Sequence, residues 1–361
     1  MPANIYSYVG RQAAWHALGT VTGNYMTWAE IQQNSGLDYA VFKSQLHDGL
    51  GRAVDAWGTF RWNRGDKLAG NRDAAVFLGV VGEDYQVIQH ADGFRMIDAL
   101  VSSVDGAHYE TAGALGNGER VWGLADLNLA VSVGQDKQQG YLLFCTGHDG
   151  SLSHQYRICL TRVVCQNTLS AALSERTRAK LTIRHTKNAK DKLEGVHEAL
   201  ASLRGDLLTV EDKLNFLADR RVTRESMAAI LERLFPKPKS DDGAEKESST
   251  RRNNVLADVL AMYESNDNNA FPEQRGTAYN LLNAITEYTD HTRSSRGAKG
   301  NGRAESAMFG SGERLKAQAV DVIVEVAGGM PPVATAMTYA RKPVDCASGS
   351  LLDQIIEQDA A

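Results

Sequence analysis

YLLFCTGHDGSLSHQYRICLTRVVCQNTLSAALSERTRAKLTIRHT, residues 141–186, carries the densest run of secondary-structure signals in the chain. Leu142 to Cys145 form a short apolar run, the pattern of a strand covered on both faces. Asp149-Gly150 is a pair favoured in tight hairpins, because glycine adopts positive φ freely and aspartate tolerates it. Tyr156, Ile158 and Leu160 then alternate with Arg157, Cys159 and Thr161, the period of a strand with two unlike faces, which Val163 to Cys165 extend inward. Asn167 or Thr168 can cap a helix running through Leu169, Ala172 and Leu173. Leu181 and Ile183 share one side of a further short strand. The stretch therefore predicts strand, hairpin, strand, helix, strand.

Upstream, antiparallel signals continue. Thr27 with Glu30 has the spacing of a capping box and predicts a helix to about Ser35, stopped by Gly36. Residues 37–46 alternate as a strand, and residues 57–90 look like a meander of short strands with Gly/Asn/Asp turns. Residues 90–104 switch to helical spacing, with Phe94, Ile97, Leu100 and Val101 on one face. Two more strands flank the Gly116-Asn117-Gly118 turn. Downstream of Thr186 the spacing is helical, broken by a polar, Pro-flanked loop at 236–254 and a basic Gly/Ser-rich loop at 291–303. The fold class predicted is α+β, with a mostly meandering antiparallel sheet in the N-terminal half and a helical C-terminal half. The units are a sheet domain with two or three helices over 1–186, a helical region over 187–330, and a tail over 331–361.

Charge is distributed unevenly. The 361-residue chain carries 39 Lys/Arg against 44 Asp/Glu, a net of −5. Residues 1–150 hold ten basic against sixteen acidic groups, whereas 156–194 hold nine against three and 291–316 six against two. A basic segment in an acidic chain is the electrostatic footprint expected of a phosphate-rich partner, to be weighed against a merely solvated charged rim. No apolar run approaches the roughly 18 residues that cross a bilayer, and no signal-peptide pattern opens the chain. Cys145, Cys159, Cys165 and Cys346 form no C-x-x-C pair, which fits buried thiols in a reducing cytoplasm; Cys165, beside Arg162 and a helix start, is a weaker nucleophile candidate.

Catalytic motifs are sparse. MFGSGERLK lacks the spacing of a phosphate loop, although a Gly-rich helix entry still presents free N–H groups. His148 and Asp149 sit at a hairpin tip, where turn chemistry alone selects such residues. His148, His154 and His185 would converge if their strands are neighbours, but no spacing typical of a zinc site is present. The sequence implies no cofactor and no metal.

TRVVCQNTLSAAL, the HDG before it, WHALG near the start, and TEYTDHTRSSRG with SAMFGSGERLK together resemble the phage/plasmid-like protein family, a domain of unknown function numbered 932. The similarity runs from about Trp15 to Val320. It implies a bacterial cytoplasm and a mobile genetic element, and carries no activity to transfer. The expected strand-strand-strand-helix order also resembles single-strand annealing proteins, at the level of fold analogy only. The leading expectation is thus a DNA-binding protein preferring single strands, acting in replication or recombination and compatible with a homo-oligomer. Arg157, Arg162, Arg176, Arg178, Lys180, Arg184, Arg293, Arg296, Lys299 and Arg303 are its candidate phosphate contacts, with Tyr156 as a stacking ring. Two alternatives stand beside it. One is a protein-interaction or counter-defence factor; the other is a metal-dependent hydrolase or nuclease using His148, Asp149 and His185.

Overall fold

The computed structural model describes residues 6–9, 20–21, 25–63, 74–162, 168–170, 180–187, 203–238, 249–265, 270–293, 306–307 and 310–329. The architecture is α+β, with antiparallel sheets in the N-terminal half and helices in the C-terminal half. The larger sheet is built around β6 (His108–Leu115), β7 (Arg120–Val133), β8 (Asp136–Gly147) and β9 (His154–Arg162), consecutive antiparallel neighbours.

 Outside them, β1 (Tyr6–Val9) pairs with β6 and carries β2 (Thr20–Val21), while β10 (Thr168–Ser170) and β11 (Lys180–Ile183) both pair with the far side of β9. A separate three-stranded sheet has the order β3 (Tyr39–His47), β4 (Ala53–Asn63), β5 (Val76–Val81).

Local chemistry accounts for several boundaries. Helix α1 (Trp28–Asn34) starts where Thr27 and Glu30 cap each other's backbone N–H groups, and the chain leaves it through Gly36 at φ +68°. Helix α2 (His90–Ser103) buries Phe94 and Ile97 against the sheet, with the Phe94 ring stacked 3.7 Å from that of Trp28. Gly116 and Gly118, both at positive φ, make the β6–β7 turn that side chains with a Cβ would strain.

The helical half comprises α3 (Leu203–Ala218), α4 (Arg224–Leu234), α5 (Thr250–Tyr263), α6 (Ala278–Glu287) and α7 (Ser311–Val326). One apolar cluster runs without a break from Trp28 and Phe94, through Val121, Phe144 and Ile158, to Leu214, Leu282 and Ile323. Helices and sheet therefore share a core. Among the described residues, no helix is long and apolar enough to cross a membrane.

Four local expectations are corrected. Thr168–Ser170 is a strand and not a helix start, because the open edge of β9 satisfies its backbone groups through pairing with Thr161, Leu160 and Cys159. The chain between β8 and β9 is longer than a two-residue hairpin: Asp149 instead accepts bonds from both the N–H and the hydroxyl of Ser151. Residues 85–89 join no sheet; the Gln86 N–H finds its acceptor at the His185 carbonyl. The polar loop after α4 ends earlier than 254, since Ser249 caps α5 through the Arg252 N–H. The expected tail over 331–361 and the candidate Cys165 lie outside the described residues.

Candidate anion-binding cleft

Tyr156 and Arg157 are neighbours on β9 and are both buried, at 1% and 2% exposure. The Tyr156 hydroxyl donates to the Gly93 carbonyl of α2 at 3.2 Å. Arg157 turns to the other side of the strand, where its guanidinium lies 2.9 Å from the Glu313 carboxylate near the start of α7. The alternation that reads as one dry and one wet face is thus a strand covered on both. Neither residue is placed to meet a polynucleotide, and both are withdrawn as contacts.

Other basic candidates are distributed as follows. Arg184 is exposed. Arg162 and Lys180 belong to β9 and β11 by backbone only, and their side chains lie outside the described residues, as do Arg176, Arg178, Arg296, Lys299 and Arg303 entirely. Arg293 is different: it lines a cleft of about 280 Å³ together with Phe235, Arg251, Arg252, Tyr288 and Leu315.

Each wall of this cleft has a sequence cause. Helix α4 is opened by a reciprocal Thr223–Ser226 cap and ends at Leu234, just before Pro236 and Pro238, which cannot continue it. Helix α5 begins with Thr250, Arg251 and Arg252 and has no acidic residue in its first turn. Cations there oppose the helix dipole, at a typical cost of about 0.3–1 kcal/mol each, and add to the positive potential of the free N–H groups. Arg252 is held by Glu232 and by the Phe235 carbonyl, to which its Nε donates at 2.6 Å. Arg251 is exposed and makes no ion pair with a described residue.

The third wall is a π-helical turn, Tyr288–Thr292, that prolongs α6. Such turns are rare and recur at functional sites. This one sets the Tyr288 ring edge-on to Phe235, at 6.1 Å and 89°. It turns Asp290 inward, where its carboxylate accepts from the Lys316 ammonium at 2.6 Å, with both side chains almost wholly buried. Arg293 follows, half-buried, and donates to the Ser311 carbonyl at 2.9 Å.

The electrostatics are those of a site with cations in excess. Burial holds the Arg293 pKa below its ordinary value, and the like charges of Arg251 and Arg314 press it the same way against the opposing influence of Tyr288. The Tyr288 hydroxyl is pushed up by burial and by the nearby Asp258 carboxylate, while Arg293 and Arg251 pull it down. Arg251, Arg293 and Arg314 therefore share one neighbourhood beside an aromatic wall. Bringing an anion there would relieve mutual repulsion among groups that are always charged, and planar guanidinium forks suit phosphate oxygens.

The histidines do converge, but inside the protein. His90, His148 and His154 are fully buried and His185 nearly so. The His90 and His148 rings are 5.5 Å apart, and Tyr39 packs against both. His90 bonds the Leu37 carbonyl at 2.8 Å, His154 the Tyr156 hydroxyl at 3.1 Å and His185 the Gln86 carbonyl at 3.0 Å, whereas neither ring nitrogen of His148 has a hydrogen-bond partner among the described residues. Burial lowers all four pKa values, to about 4 for His90, to about 3 for His154 and well below the ordinary value for His148. Among the described residues no three His, Cys, Asp or Glu side chains form a group suited to a metal ion. Asp149 is engaged by Ser151 and lies 3.8 Å from Arg120. His148 is a sealed, neutral ring, poorly placed for acid–base work on an external substrate.

A model of a domain of unknown function, DUF932, matches residues 77–308. The chain belongs to this family. No curated protein matches it, and no solved structure does. The DUF932 match begins inside β5 and ends before α7, so it contains Arg251, Arg252, Tyr288 and Arg293 but neither Arg314 nor the buried partners Glu313 and Lys316. Of the cleft residues, Arg293 had a sequence signal in its basic loop. Arg251 and Arg252 had one too: a Ser cap followed by the apolar spacing of Val255, Leu256 and Val259.

Proposed function

We propose that this DUF932 protein binds the phosphate backbone of a nucleic acid, preferring single strands, in the replication or recombination of a mobile genetic element. The observation that carries the reading is the grouping of Arg251, Arg252 and Arg293 around one cleft, with exposed Arg314 beside it. These charges stand against a chain whose net charge is −5, so local potential and not bulk charge would draw the polymer. Phe235, Tyr288 and Leu315 supply an apolar wall for a sugar or base edge. Tyr288 is largely buried, so stacking is a minor part of the binding and backbone neutralisation the major part.

Amide hydrogen exchange with and without an oligothymidylate tests the assignment. Protection should gather in the first turn of α5 and in the π turn over Tyr288–Thr292. Binding that leaves both segments unprotected removes the cleft as the interface.

A further inference from the structure

The outer face of the three-stranded sheet carries an aromatic row that belongs to neither hydrophobic core. Phe42 lies opposite Phe60 in the β3–β4 register, and Phe60 lies opposite Phe77 in the β4–β5 register. The Phe42 ring stacks on Trp62 at 4.0 Å and on Phe60 at 5.5 Å, and Phe60 meets Phe77 edge-on at 5.5 Å. Val80 stands across from Gly58, where a Cβ would come within 2.6 Å of the Phe60 ring, so the middle of the face stays level. Among the described residues, none of Phe42, Phe60, Trp62, Phe77 and Val80 joins either buried apolar cluster. Phe77 and Val80 are 48% and 58% exposed, and Leu50 and Val54 extend the same exposed apolar character along the β3–β4 hairpin.

We propose that this face is the contact between two copies of the chain, packed sheet against sheet about a two-fold axis. The register places Ala40, Phe42 and Ser44 beside Trp62, Phe60 and Gly58, and then Phe77 and Val80; none of these positions is charged. A two-fold interface brings a surface against itself, so any charge near the axis would meet its own copy. An uncharged face is self-complementary in that sense. A nucleic-acid strand is the poorer occupant, since its phosphates require cations and these positions offer none. Three strands about 4.8 Å apart and some 30 Å long present on the order of 400 Å² per copy, a size at which apolar patches commonly mark interaction sites. That area is below the roughly 800 Å² per partner of a standard interface, so the dimer should be weak and concentration-dependent.

Sedimentation equilibrium of the full chain over two decades of concentration tests this. The wild type should move from monomer toward dimer, and Phe77→Ser with Val80→Ser should weaken association at least tenfold while leaving the thermal midpoint of the dilute monomer close to the wild-type value. Both side chains are already exposed, so the variant keeps its core. A wild type that stays monomeric throughout, or a variant that dimerises as tightly, overturns the proposal. So does a monomeric wild type whose oligothymidylate binding falls in the variant, which would give the face to nucleic-acid bases; the cleft reading would survive either of the first two results.

Discussion

Acid should unfold this protein early, through its buried histidines. His90 and His154 are neutral in the fold, with pKa values lowered to about 4 and about 3, whereas in the unfolded chain each returns to about 6.5. The unfolded state therefore binds more protons below pH 6.5, and stability is fully present above that value and lost as pH falls. At pH 5 each of the two costs about 2 kcal/mol, and at pH 4 each costs about 3 kcal/mol. His148 acts in the same direction. Together they remove on the order of 6 kcal/mol or more by pH 4, comparable to the whole stability of an ordinary domain. Urea titrations followed by tryptophan fluorescence between pH 5 and 7 isolate the effect from carboxylates with ordinary pKa values. In that window His90→Gln, which can still donate to the Leu37 carbonyl, should lower the slope of stability against pH by about 1.2 kcal/mol per unit toward the lower end. A stability that is flat from pH 7 to pH 5, or a variant with the wild-type slope, would show that the fold does not hold these rings neutral.

Two further substitutions probe packing and charge. Lys316→Met removes the ammonium 2.6 Å from the buried Asp290 carboxylate and should cost up to about 3–5 kcal/mol, while adding Asp290→Asn should recover part of that loss; urea midpoints showing a single-variant cost under about 1 kcal/mol contradict a stabilising role for the pair. Gly93→Ala should destabilise by about 1–3 kcal/mol although alanine favours helices, because the new Cβ would lie 2.3 Å from the Phe144 ring. A stabilised Gly93→Ala protein, seen as a raised thermal midpoint, rules out that close approach.

Local signals were legible where the chain's neighbours in sequence settle the structure. The Thr27–Glu30 cap, the Gly116–Gly118 turn and the ladder from β7 to β9 all follow from short-range chemistry. Long-range partners were not legible. Arg157 looks like a solvent-facing cation until the chain returns with Glu313, and the three fully buried histidines are gathered from α2, the β8–β9 connection and the start of β9. The charge run at 249–254 suggested a loop because polarity outweighed the Ser249 cap, yet it is the start of α5 and the cationic wall of the cleft. Half of the cleft was therefore hidden in a segment whose composition looked unstructured.

Charge gathered in one cleft reveals itself in the salt dependence of binding. Fluorescence anisotropy of a labelled oligothymidylate, titrated with wild-type protein at several NaCl concentrations, gives the slope of log affinity against log salt. Each lost phosphate contact should reduce that slope by about 0.7 for a single strand. Arg251→Glu with Arg314→Glu, both at exposed positions, should weaken binding strongly at low salt and flatten the slope by about 1.4. Equal affinities and parallel slopes for wild type and variant would show that the cleft does not hold the phosphate backbone.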